Sequence, residues 1–224
     1  MSEVNALNDI RAVFEKKDSA VYISHLDLNR CMQRAFRRSK LPVWYTEGFN
    51  PHVYVMFALA LSLGFESSCE IMDFTLTEDI PYEQIKNSLN SVLPDGIRII
   101  SVSAPKLKHT EIAFADFKIK IFNDNPVNLR EKFIEFVSQE KIIVLKRNKK
   151  KQMIETDIKP VINVLDSSAK DEYLEIMLRL PAGTQKNYNP TLLTDVFCKY
   201  ADIPSNAVRI ERERIICSDG KDFS

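Results

Sequence analysis

The chain has 224 residues, 45% hydrophobic and 28% charged, with 31 basic side chains against 31 acidic ones. That is a globular composition, long enough for one large domain or two of about 100 residues, and its zero net charge excludes a globally cationic nucleic-acid binder while allowing local basic patches. Glycine is scarce, five in all and about 2% against a usual ~7%, and the closest pair, Gly48 and Gly64, is too far apart for the dinucleotide fingerprint or the phosphate loop.

The elements follow from periodicity. Residues 10–16 read as a strand ending in charge. Residues 24–40 read as a helix: Leu28, Cys31, Met32, Ala35 and Phe36 recur at three and four, and Ser24 with Asp27 forms a capping box. Residues 53–59 and 69–77 read as strands, the second with Met72, Phe74 and Leu76 alternating inward. Pro81 opens a helix that Pro94-Asp95-Gly96 stops, and residues 97–103 return as a strand.

The second half repeats this order. Residues 117–122 form a strand and 128–139 a helix buried through Leu129, Phe133, Phe136 and Val137. Residues 141–147, 153–165 and 173–180 supply strands, one more than in the first half. Asn189 and Pro190 start a last helix, and residues 208–217 close the unit. The expected fold class is α+β: two tandem ferredoxin-like βαββαβ units with antiparallel sheets. The expected domains are residues 10–104 and 115–217, joined by a Pro- and Lys-containing connection.

The four cysteines, Cys31, Cys69, Cys198 and Cys217, have neither C-x-x-C nor zinc spacing. Dispersed thiols of this kind are expected to be buried in a reducing cytoplasm, and no iron–sulfur site can be assembled from them. The N-terminal residues lack a charged segment followed by an apolar run, and the longest apolar stretch, 53–65, is too short for a bilayer. The expectation is a cytoplasmic protein with no cofactor, no metal site and no membrane partner.

Chemistry concentrates between His25 and Glu70. Arg30, Arg34, Arg37 and Arg38 share one face of the first helix, roughly opposite its apolar stripe, with Asp27 the one acid nearby. Solvated helix faces usually mix signs at i, i+4, and this one does not. Next comes a turn-rich segment with Trp44, Tyr45, Glu47, Gly48, Phe49 and an Asn-Pro turn before His52. Arginines beside exposed rings suit single-stranded nucleic acid: the cations meet phosphates and the rings stack on bases. In the competing reading, the rings plug the end of the core and the arginines are merely solvated.

His25 and His52, with Glu47, are candidate acid and base groups for phosphodiester cleavage. Each also has a plain structural role open to it, a helix-start hydrogen bond for His25 and a turn-locking one for His52. A second basic run, Lys146-Arg147-Asn148-Lys149-Lys150-Lys151, lies between two strands. There Lys149, Lys150 and Lys151 either contact phosphate or solvate a hairpin tip.

The segments Ile23-Ser24-His25-Leu26-Asp27-Leu28, Arg34-Ala35-Phe36-Arg37-Arg38, Tyr45-Thr46-Glu47-Gly48-Phe49-Asn50-Pro51-His52 and Leu63-Gly64-Phe65-Glu66-Ser67 resemble the radical-SAM-linked protein family, an uncharacterised domain fused to or encoded with radical-SAM proteins. The match is dense over residues 10–105. Beyond it, Asp157-Ile158-Lys159-Pro160 is similar to the family's Asp-x-Arg-Pro element, with Lys159 in place of the arginine. Val53 and Ser62 stand where the family often has proline. The resemblance implies a radical-SAM protein as partner, which must bring its own cluster. Together these readings lead to an RNA-binding or RNA-positioning accessory module for tRNA or rRNA. The alternatives are a metal-independent endoribonuclease using His25 and His52, and a protein–protein docking module.

Overall fold

A computed structural model of the chain describes residues 7–147 and 152–223. The protein is α+β, with four α-helices among the described residues and antiparallel strand pairing. The chain divides into two compact units. One runs to Glu111 and regains Asp222 and Phe223; the other spans Ile112–Lys221.

In the first unit the order is β1 (Asn8–Lys16), α1 (His25–Ser39), β2 (Val55–Phe57), β3 (Glu66–Leu76), α2 (Tyr82–Asn90) and β4 (Ile97–Ser103). β1 pairs with both β3 and β4, and β2 lies on the other side of β3, so the strands are ordered β4-β1-β3-β2. Side chains alternate across a strand, and Ile10, Ala12 and Phe14 of β1 and Met72, Phe74 and Leu76 of β3 point to the helices. They close on Leu28, Met32 and Phe36 of α1 and Ile85 and Leu89 of α2. Phe36 meets Phe74 at 4.6 Å between ring centres. α1 begins because Ser24 accepts the Asp27 backbone N–H, and it ends at Lys40 in a left-handed conformation.

In the second unit the order is β5 (Ile112–Phe122), α3 (Pro126–Ser138), β6 (Ile143–Arg147), β7 (Met153–Asp157), β8 (Asn163–Ala169), β9 (Tyr173–Pro181), α4 (Thr191–Ala201) and β10 (Val208–Cys217). β5 lies between β10 and β9, with β8 beyond β9, which is the strand order of the first unit repeated. β6 and β7 form a separate hairpin. Phe133 and Phe136 of α3 pack on Phe197 of α4 above Ile119, Ile121, Leu174 and Ile176.

β5 starts at Ile112, five residues before its sequence reading, and two further strands are cut short. Residues 153–165 are not one strand: β7 stops at Asp157, where a carboxylate oxygen accepts the backbone N–H groups of both Ile142 and Lys159. Val161 and Ile162 then donate back to the Ile158 carbonyl, a turn that an apolar run containing Pro160 conceals. Residues 53–59 shrink to the three of β2, because Val53 bridges Tyr45 instead of joining the sheet.

Candidate functional site

The arginine face of α1 borders a groove of about 290 Å³ lined by Asp27, Arg30, Cys31, Arg34, Arg38 and Pro94. Arg30, Arg34 and Arg38 are one turn apart in succession and so stack along one side of the helix. Arg37 is exposed on α1 outside this lining. Two of the three cations are held in place. The Arg30 guanidinium donates to Asp27 at 3.2 Å, and Arg38 donates to the Val92 carbonyl just beyond α2 at 2.7 Å. Arg34 is exposed and makes no hydrogen bond or ion pair of its own among the described residues. The groove therefore combines pre-oriented guanidiniums with one whose donors are uncommitted.

The same charges act on their neighbours. The Asp27 carboxyl is held below its ordinary value, first by the Ser24 hydroxyl that donates to it at 2.7 Å, against a burial penalty, with Arg30 adding to the effect. Burial raises the Cys31 thiol, while Arg38 and Arg34 pull it the other way. Cys31 packs against the core at the groove's edge, so its place on the apolar side is only half of its setting.

The segment between α1 and β2 forms an arm anchored at its base. Val43 bridges Leu76, the Trp44 N–H donates to the Thr75 carbonyl at 2.9 Å, and Tyr54 donates back to Trp44. Both limbs thus grow from the outer edge of β3. Above them Tyr45 bridges Val53, and Thr46 donates to the His52 carbonyl. The aromatic residues divide. Trp44 is half-buried and packs edge-on against Tyr54 at 5.7 Å, a structural role, whereas Tyr45 is exposed and Phe49 at the tip is fully so. Gly48, with φ of 121°, makes the tip turn. Gln33 of α1 reaches the Val53 carbonyl at 3.5 Å, so the base of the arm lies beside the helix that carries the arginines.

The histidines occupy separate settings. His25, in the first turn of α1, packs edge-on against Phe57 at 5.1 Å between ring centres. His52 has Nδ1 within 3.1 Å of both the Thr46 hydroxyl and the Asn50 carbonyl. A protonated Nδ1 donates to the Asn50 carbonyl, whereas a bare Nδ1 accepts from the Thr46 hydroxyl, so the tautomer sets which contact is a hydrogen bond. The two rings share no hydrogen-bond or ring partner among the described residues. Glu47 is exposed on the arm. No group of three or more His, Cys, Asp or Glu is arranged to hold a metal ion among the described residues.

The second basic run is only partly within view. Lys149, Lys150 and Lys151 lie outside the described residues. Lys146, at the end of β6, stands over the Tyr188 ring at 3.8 Å. Lys159 donates to the Val137 carbonyl in the last turn of α3, a helix-end tie of the kind cations make there.

Sequence reasoning missed several residues that shape the first unit. Pro94 lines the groove from beyond α2, where Val92 accepts from Arg38, although Pro94 reads in the sequence only as a helix stop. Lys16 and Glu70 are buried charged residues, and the Lys16 ammonium donates to the Val21 carbonyl at 3.2 Å. No local pattern marks either.

Fold and groove together define an α+β protein whose first unit presents a cationic helix face beside an aromatic-tipped arm. A family model described as an uncharacterized protein conserved in bacteria, DUF2344, matches residues 9–190, and the chain belongs to that family. No curated protein matches the sequence. Among solved structures, the crystal structure of an unknown protein from Galdieria sulphuraria aligns over 93% of this chain and 98% of its own, at 10% identity and a TM-score of 0.26. No helix among the described residues is long and apolar enough to cross a membrane.

Proposed function

We propose that the chain is an RNA-binding module that positions RNA, of the tRNA or rRNA class, for a radical-SAM modification enzyme. The observation that carries the RNA reading is the groove in which Arg30, Arg34 and Arg38 face a single carboxylate. Guanidiniums in that density match phosphate oxygens, and Tyr45 and Phe49 on the neighbouring arm offer stacking faces for unpaired bases. We read each unit as ferredoxin-like, on the strength of its strand–helix–strand order and the repeated strand order. The radical-SAM partner rests on the motif resemblance over residues 10–105, and any cluster belongs to that partner.

Binding of fluorescein-labelled tRNA and of single-stranded RNA to the pure protein tests this. The expected result is salt-dependent binding, lost when Arg34→Glu and Arg38→Glu are combined in a protein whose circular dichroism is unchanged. Undiminished binding by that variant overturns the reading. Shortened RNA in the same reaction, abolished by His52→Ala, instead identifies an endoribonuclease acting through His25 and His52. Capture of a radical-SAM protein that resists nuclease treatment and is unaffected by the arginine changes identifies a docking module.

A further inference from the structure

A second groove, of about 510 Å³, lies in the same unit between the end of β1, α2 and the start of β4, and Pro94 lines both. The two grooves are thus neighbours on either side of one proline, and their charges differ. The arginine groove has three guanidiniums against Asp27, a net charge of +2. In the second groove Lys17, Lys86 and Arg98 are matched by Glu15, Asp18 and Asp95, which leaves it neutral. Lys17 pairs with Glu15 at 3.4 Å and Lys86 with Glu83 at 3.0 Å. Asn87, exposed on α2, makes no side-chain hydrogen bond with the other described residues. Its backbone carbonyl, by contrast, is used within the helix end.

A phosphodiester carries one negative charge, whereas a phosphomonoester carries about −1.5 to −2 at neutral pH. The +2 groove balances the monoester. The neutral groove, with an uncommitted amide able to donate and accept, suits the uncharged base and sugar attached to it. We infer that the two grooves form one site for a phosphorylated RNA end, with the terminal phosphomonoester on Arg34 between Arg30 and Arg38, and its nucleoside across Pro94 beside Asn87. This inference rests on the RNA-binding reading and narrows it to an end-recognition mode.

Three single-stranded RNAs of one sequence provide the test: one with a 5′-phosphate, one with a 3′-phosphate and one with neither. Their affinities for the full chain are compared by fluorescence anisotropy at fixed salt. The expected result is binding at least tenfold tighter for one phosphorylated end than for the unphosphorylated RNA. Arg34→Gln erases that preference. Asn87→Ala weakens the preferred RNA severalfold, and an unchanged affinity removes the neutral groove from the site. Equal affinities for all three RNAs overturn end recognition while leaving RNA binding intact, and a preference that survives Arg34→Gln overturns it as non-specific charge attraction. Absence of binding to every RNA overturns both readings.

Discussion

Arg11 and Asp73 stand directly opposite each other across β1 and β3, and their side chains close a two-pronged ion pair with both N···O distances at 2.8 Å. Arg11 is 1% exposed, and it also donates to the Leu107 carbonyl and lies 4.4 Å from the centre of the Phe223 ring. The second unit holds the same arrangement with the signs reversed: Asp116 of β5 faces Arg179 of β9 at 2.7 and 2.9 Å. Removing one partner of such a pair strands the other charge without water, at a cost of roughly 3–5 kcal/mol. Asp73→Ala is therefore expected to lower stability by about that amount in urea unfolding, and Arg11→Met combined with Asp73→Leu to restore most of it. Equal losses in the single and double variants contradict this.

Little of this pair was legible in the sequence. The two residues are 62 positions apart, and an arginine and an aspartate among strand residues read as ordinary solvent-facing positions until register sets them opposite each other. The α1 arginines, by contrast, could be read from local helical spacing: Arg30, Arg34 and Arg38, one turn apart, line the groove, while Arg37, read onto the same face, lies outside it. What the spacing could not show is the far wall. Pro94 comes from beyond α2, and the position of α2 is set by packing rather than by any motif. The loop rings likewise read as one cluster, yet only contacts separate half-buried Trp44 from exposed Phe49.

The start of α1 gives a pH prediction. Asp27 is held below its ordinary value of 3.8 by the Ser24 hydroxyl first and Arg30 after it. A depressed carboxyl stabilises the folded state above its unfolded value and loses that contribution as the pH falls through the lower folded value. An NMR titration is expected to place the Asp27 midpoint below 3.8 and to move it upward in Ser24→Ala. The same substitution removes the N-cap and costs about 1 kcal/mol at neutral pH. A midpoint insensitive to Ser24 would mean that the hydroxyl is not the main cause.

Gly96 and Gly64 offer a matched comparison of backbone against space. Both have positive φ, 81° and 83°, so a side chain at either costs about 1–2 kcal/mol from conformation alone. A Cβ at Gly96 would also meet the Lys17 carbonyl oxygen at 2.5 Å and the Ala20 Cβ at 2.9 Å, whereas at Gly64 nothing lies within 4 Å. Gly96→Ala is expected to depress the thermal midpoint clearly more than Gly64→Ala. Since Gly96 borders the neutral groove, it should also disturb ligand binding there.

The thiols report on the arginine groove from another direction. Burial, with Asp195 nearby, pushes the Cys198 thiol up to about 11, whereas at Cys31 Arg38 and Arg34 oppose the rise that burial causes. Alkylation near pH 8 is expected to modify Cys31 faster than Cys198, and Arg34→Gln to slow it, because the thiolate is the reactive form. Faster alkylation in Arg34→Gln would show that the arginine shields Cys31 sterically instead.

The arm separates binding from stability. Phe49 is fully exposed, so Phe49→Ala is expected to leave urea unfolding unchanged. RNA affinity should fall by about 1–3 kcal/mol, the usual worth of a base stacked on a ring. An unchanged affinity removes the arm from the interface.

The salt dependence of RNA binding tests the arginine groove most directly. For single-stranded RNA each phosphate neutralised contributes about −0.7 to the slope of log K against log salt. Replacing Arg34 and Arg38 together by glutamate should flatten that slope by at least about 1.4 and weaken binding throughout the salt series. A folded variant that keeps both the slope and the affinity of the native chain would contradict the claim that this groove binds RNA.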